Sequence, residues 1–245
     1  MTVEPNGHIA DASDANEQPA IHIEGAVAVV DDLGLNAQAD ELLEELRSLP
    51  KPRLIVISGP SGVGKDTVIE HLRLAHPDFV FAVTATTRPR RPGEIDGVHY
   101  FFMKREEFLS IREQGEFLES AEVYGNLYGV PKDRVRNALH AGKTVVVKVD
   151  VQGASSIREM VPEGIFIFLL PPSMAELMRR LRGRKTDDPA ALMSRITTAS
   201  RELRAVRVFD YVVFNENERL DETLATLDAI MTAENCRIIQ RNVTL

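Results

Sequence analysis

The chain has 245 residues, 44% of them apolar, enough for one α/β domain with insertions or for two small domains. No run approaches the length of a membrane-spanning helix, and a single cysteine, Cys236, excludes an intrachain disulfide framework and fits a reducing compartment. The net charge of −8 is uneven: residues 1–50 carry eleven Asp/Glu against one Arg, so the remainder is nearly neutral and lacks the broad basic face that binds DNA or RNA.

Residues 1–20 are polar and acidic and read as disordered, without the apolar core of a signal peptide or the arginines of a transit peptide. A cytoplasmic protein with no membrane or nucleic-acid partner, monomeric or homodimeric, is the expectation. Ile21 to Val30 reads as a strand. Between Asn36 and Leu49, Leu42, Leu43, Leu46 and Leu49 recur at helical spacing, as in a helix packed on its own domain or on a second copy. Pro50 and Pro52 mark the boundary between an acidic extension, 1–50, and the main domain, 51–245.

Beyond that boundary apolar runs alternate with amphipathic ones. Leu54–Ser58, Phe79–Val83, Thr144–Val149, Ile165–Leu170 and Tyr211–Phe214 predict buried strands. Thr67–Leu74, Gln152–Met160, Met174–Leu181, Ala190–Leu203 and Glu218–Ala233 predict helices. The alternation implies a parallel sheet covered on both faces. Residues 84–142 interrupt it, with short strands around Tyr100 and Tyr128 and a helix from Arg105.

The strand at Leu54 runs into Gly59-Pro60-Ser61-Gly62-Val63-Gly64-Lys65-Asp66-Thr67, and a helix follows. Strand, glycine-rich turn and helix start are the setting of a phosphate-binding loop. The glycines let backbone N–H groups turn toward phosphate oxygens, the helix N-terminus adds positive potential, and Lys65 reaches the transferred phosphoryl group. Asp66 breaks the usual pattern, because it stands where a hydroxyl binds Mg²⁺. Its carboxylate suits Mg²⁺ as a hard ligand; alternatively it complements the helix terminus while Thr67 or waters serve the metal. About twenty residues on, Thr84 to Phe101 gathers Arg88, Arg90 and Arg91 among prolines and glycines. Guanidinium forks suit a second phosphate, and two phosphate sites together indicate transfer between them.

With the loop before it, this stretch resembles the nucleoside-monophosphate signature of guanylate kinases, over about Arg53 to Ala233. The resemblance implies a P-loop NTPase three-layer α/β fold with an inserted GMP-binding subdomain at about 84–142 and a small lid at about 180–196. It implies transfer of the γ-phosphoryl group of ATP to GMP, or dGMP, with Mg²⁺. Residues Gly59 to Thr67 match the ATP-phosphate loop. Arg88, Arg91, Tyr100 and Tyr128 match the positions that hold the GMP phosphate, and Glu94 the acid that orients the arginines. Thr84 stands where serine is common. Glu119 matches the carboxylate that accepts from guanine N1–H and the 2-amino group, and Asp150 an acid near the guanine and the metal. Arg180, Arg184 and Arg195 match lid arginines, and Asn215 a position near the adenine.

Two departures stand out. Val130 replaces a hydroxyl residue that contacts the base, and Lys148 replaces an acid. With a two-residue period, Lys148 shares its side of the strand with Asp150 and pairs either with that acid or with a phosphate. The plastid and mitochondrial branch of the family resembles the chain at Val130 and Asp66. Two other readings compete: a non-catalytic guanylate-kinase-like module, in which the loop lysine or lid arginines are typically lost, and a kinase for another acceptor such as ribose 1,5-bisphosphate.

Overall fold

The computed structural model describes residues 35–48, 53–123, 125–182, 189–239, 241 and 243–245. The chain divides into two compact units between Leu49 and Pro50. In the first, Leu35–Ser48 forms helix α1, and Leu42 and Leu43 on it are exposed. The polar stretch 1–20, the strand expected at 21–30, and Pro50 and Pro52 lie outside the described residues.

In the second unit, five parallel strands form the main sheet in the order β2-β7-β1-β8-β9. They are β1 (Leu54–Ser58), β2 (Val80–Phe81), β7 (Val145–Lys148), β8 (Ile165–Leu170) and β9 (Tyr211–Phe214). Strand β1 is buried at every position because each face of the sheet is covered. Ile55 and Ile57 pack with Val68 and Leu72 of α2 (Lys65–Ala75) and with Leu227 and Ile230 of α8 (Leu220–Asn235). Leu54 and Val56 point the other way, into a cluster with Ala154 and Ile157 of α5 (Val151–Met160). Strand β2 is shorter than the predicted Phe79–Val83, since the chain leaves the sheet edge there for the inserted region.

That insertion builds a second sheet, ordered β4-β3-β6-β5, from β3 (Ala85–Thr86), β4 (Phe101–Phe102), β5 (Phe117–Val123) and β6 (Asn126–Pro131). Its core holds Ala85, Phe117 and Leu127, with Phe108 from α3 (Arg105–Glu113) stacked on Phe117 at 4.3 Å between ring centroids. Strand β5 and helix α4 (Lys132–His140) were not predicted. Only Val135 and Leu139 of α4 are buried, too few to give a period, and β5 is irregular in register between Phe117 and Glu119. Helices α6 (Met174–Arg182) and α7 (Pro189–Leu203) and a 3₁₀ turn (Arg204–Val208) lie between β8 and β9.

The last helix is anchored through one carboxylate. Glu234, 2% exposed, accepts from the Tyr211 hydroxyl at 2.6 Å and from two nitrogens of Arg241 at 3.0 Å each. The Arg53 guanidinium donates to its backbone carbonyl at 3.2 Å. Among the described residues no helix is long and apolar enough to cross a membrane.

Candidate active site

In an open parallel sheet, ligands bind outside the carboxyl ends of the strands, where connections diverge to either side. Here the chain leaves β1 for the edge strand β2 but returns from β7 across β1 to β8, and the loop of residues 59–64 follows the carboxyl end of β1. Gly59 has φ 151°, and a Cβ on it would lie 2.5 Å from the Leu169 carbonyl oxygen. Gly64 has φ 100°, and a Cβ there would lie 2.5 Å from Asn215 Nδ2. Only glycine fits either place. Gly64 is also the N-cap of α2 and brings no capping side chain, so the first-turn N–H groups are left to a ligand.

A cavity of about 350 Å³ opens on this loop, lined by Ser61 to Thr67 together with Asp150, Arg180 and Glu202. Lys65 folds back over the loop, its Nζ donating to the Gly59 and Pro60 carbonyls at 2.6 and 3.2 Å. Burial pushes the Lys65 ammonium below its ordinary pKa, against the pull of the Glu202, Asp66 and Asp150 carboxylates. The Ser61 N–H donates to Glu202 Oε2 at 3.0 Å, so a carboxylate from α7 sits where a phosphate oxygen is expected. Nothing local in the sequence marks Glu202, which lies 141 residues from Ser61.

Two expected nucleotide residues brace the loop from behind. The buried Asn215 donates from Nδ2 to the Val63 carbonyl at 2.8 Å, and its Oδ1 accepts from the Thr223 hydroxyl at 3.3 Å. Arg180 donates to the same Val63 carbonyl at 2.9 Å and to the Asn215 carbonyl at 3.0 Å, while Glu176 holds its Nε at 2.7 Å. In this geometry both fix the loop's shape, and Arg180 also lines the cavity. Arg184 lies outside the described residues, and Arg195 falls within α7 but its side chain is not among those described.

A second cavity, about 230 Å³, lies between the carboxyl end of β7 and the smaller sheet. Thr84, Tyr100, Glu119, Tyr128, Lys148 and Asp150 are among its lining residues. Tyr100 and Tyr128 meet edge to face at 6.2 Å, and the Arg88 guanidinium stands 5.3 Å from the Tyr100 ring centre. Glu94 receives both terminal nitrogens of Arg88, at 2.7 and 3.0 Å, and the backbone N–H of Arg91 at 2.7 Å. The Arg88 fork, with help from the Arg91 N–H, holds the Glu94 carboxyl down at about 2. One acid thus aims both arginine positions, while the Arg91 side chain stays exposed.

Glu119 has the opposite electrostatics. Burial, reinforced by the nearby Asp150 charge, pushes its carboxyl up to about 7. Asp150 caps α5 by accepting from the Gly153 N–H at 2.7 Å, and it lines both cavities. Val130 is 1% exposed and packs with Leu118, Val135 and Val149, so it exchanges a hydroxyl for a core contact and does not line the cavity. Lys148 pairs its ammonium with the Asp66 carboxylate rather than with Asp150.

A glycine-rich strand-to-helix loop with a lysine, joined through Asp150 to a cavity lined by tyrosines and carboxylates, suits transfer of a phosphoryl group between two bound molecules. The family model described as Guanylate kinase matches residues 51–234. The chain is 45% identical over 185 residues to a guanylate kinase of Clostridium perfringens, covering 76% of this chain and 85% of that protein. It is 46% identical over 187 residues to one of Halalkalibacterium halodurans, covering 76% and 91%. A rice protein, "Guanylate kinase 2, chloroplastic/mitochondrial", is 43% identical over 203 residues, covering 82% of this chain and 71% of the rice protein. The crystal structure of guanylate kinase from Anaplasma phagocytophilum superposes with a TM-score of 0.60 at 34% identity, covering 77% of this chain and 89% of that one.

Proposed function

The chain belongs to the guanylate kinase family, and on that premise we propose which residues of its two cavities carry the transfer of the ATP γ-phosphoryl group to GMP. The observation that carries the assignment is Asp150, which lines both the loop cavity and the acceptor cavity and so marks where the two substrates meet. Family membership favours this enzyme over a non-catalytic module or a kinase for another acceptor, and the chain keeps Lys65.

Phosphoryl transfer needs alignment, charge neutralisation and exclusion of water more than covalent help. The loop N–H groups and Lys65 hold the β- and γ-phosphates, with Lys65 leaving the Gly59 and Pro60 carbonyls for phosphate oxygens. Arg88, Arg91, Tyr100 and Tyr128 hold the GMP phosphate. Glu119 accepts from guanine N1–H and the 2-amino group. Adenine offers neither donor and would leave a buried carboxylate facing an acceptor, and sites built on such pairing discriminate by roughly 10⁴-fold or more. Region 84–142 acts as the acceptor subdomain, and the segment 180–196 closes as the lid, with Arg184 and Arg195 offsetting charge on the transferring group.

Asp66, Thr67 and Asp150 give the loop cavity hard oxygen donors that suit Mg²⁺. Among the described residues no cluster of three or more His, Cys, Asp or Glu forms a complete metal site, so the nucleotide's phosphate oxygens would complete the shell. Bound there, Mg²⁺ would neutralise phosphate charge. Asp66→Ser should weaken the dependence of turnover on Mg²⁺; an unchanged titration would leave Asp66 with only its ion pair and the helix terminus.

Coupled ADP production with MgATP, comparing GMP with AMP and wild type with Lys65→Ala, tests the whole assignment. GMP-dependent turnover should fall about 10²-fold or more in the variant, and AMP should be a poor acceptor. Equal turnover with AMP, or full activity without Lys65, would overturn the roles given to Glu119 or to Lys65.

A further inference from the structure

We propose that Lys148 is an acceptor-phosphate ligand: Asp66 holds its ammonium at the junction of the two cavities, and the phosphate of the incoming nucleoside monophosphate takes it over. The proposal rests on reading the smaller cavity as the GMP site.

The strand register explains why a lysine reaches this place. Ile57 of β1 pairs with Lys148 of β7, so the carboxyl ends of the two strands lie side by side, one entering the phosphate loop and the other reaching Asp150. Lys148 lines the smaller cavity with Glu119, Tyr100 and Tyr128, whereas Asp66 lines the loop cavity. The Lys148–Asp66 pair therefore spans the step between them. Transfer requires the attacking acceptor oxygen to come within roughly 3–3.5 Å of the phosphorus that the loop holds. The acceptor's phosphate must accordingly lie in the strip marked by Asp150 and this pair. It arrives there as a second polyanion beside the ATP phosphates.

The pair itself is easily exchanged. Its side chains are 38% exposed at Lys148 and 77% exposed at Asp66, and ion pairs that open to water contribute little. A phosphate dianion offers an ammonium a stronger charge-assisted bond than one solvated carboxylate does. The exchange also leaves the Asp66 carboxylate beside the loop without its lysine when both nucleotides are present. It accounts jointly for an acid where a hydroxyl is expected and a lysine where an acid is expected. Lys148 need not move far, because it already lines the smaller cavity beside Tyr100, Tyr128 and Asp150.

The test is calorimetric binding of GMP and of guanosine, without ATP or metal, to wild type, Lys148→Met and Lys148→Arg. Both lysine variants are repeated in an Asp66→Ser background, and thermal melts confirm folding; Lys148→Gln replaces Lys148→Met if the latter does not fold. GMP affinity should fall about 10- to 100-fold in Lys148→Met, be largely kept in Lys148→Arg, and fall equally in the Asp66→Ser background, while guanosine affinity stays unchanged. A loss confined to the Asp66-containing protein would make Lys148 only the counterion of Asp66 and overturn the proposal. So would an equal loss for guanosine, which means a distorted cavity, or no loss at all. Failure of the wild-type protein to prefer GMP over guanosine would instead refute the GMP-site reading.

Discussion

Replacing Glu119 by glutamine should make the protein more stable at alkaline pH and much poorer at holding guanine. Its carboxyl sits at about 7 in the folded chain against an ordinary 4.5, because burial and then the Asp150 charge disfavour ionisation. At 1.36 kcal/mol per pH unit, the folded state pays about 3 kcal/mol to keep this group ionised above pH 7. The sign follows from proton counts. Between pH 4.5 and 7 the folded chain retains a proton that the unfolded chain has released, so stability falls as pH rises and levels off above about 7. Glutamine carries no charge and removes that slope. Urea unfolding of both proteins from pH 5 to pH 8.5 should show the variant gaining on wild type by about 2.5 kcal/mol over that range, most of it below pH 7. Guanosine binding to wild type should weaken as pH falls below about 7, since the carboxylate must be ionised to accept both guanine donors. Parallel stability profiles for the two proteins would refute the claim that Glu119 is buried next to Asp150 at the cost of its charge.

Glu202→Gln should tighten ATP binding by about tenfold, because it removes a carboxylate from the Ser61 N–H where the phosphates enter; weaker ATP binding would show that Glu202 supports the loop instead. Gly64→Ala places a Cβ 2.5 Å from Asn215 Nδ2 at φ 100°, and a cost of about 2 kcal/mol corresponds to a melting temperature about 4–8 °C lower, whereas an unchanged melt would contradict this loop geometry. Glu234→Ala leaves the Arg241 guanidinium and the Tyr211 hydroxyl without the buried carboxylate they share and should destabilise by about 3–5 kcal/mol in urea; a loss under 1 kcal/mol would show that the cluster is solvated.

The elements that the sequence determined are those whose signal is local. The five strands of the main sheet and the helices between them are long apolar or periodic runs, and burial on both sides of β1 follows from Leu54-Ile55-Val56-Ile57 alone. The phosphate loop is equally local, because its glycines, its lysine and the helix start are consecutive. The arginine-rich stretch and its orienting Glu94 are legible for the same reason: Arg88 and Glu94 are six residues apart and close a single turn. By contrast, β5 and α4 carry too few apolar anchors to show a period, and they exist because β6 and the sheet give them something to pack against. Asn215 and Arg180 brace the loop through one Val63 carbonyl that is 152 and 117 residues away, respectively. The Lys148–Asp66 pair, the Glu202 contact with Ser61 and the placing of Glu119 beside Asp150 are likewise products of strand order. Parallel pairing of β1 with β7 brings distant strand ends together, and a charge's partner and pKa depend on what lies within a few ångströms in space, which spacing along the chain does not encode.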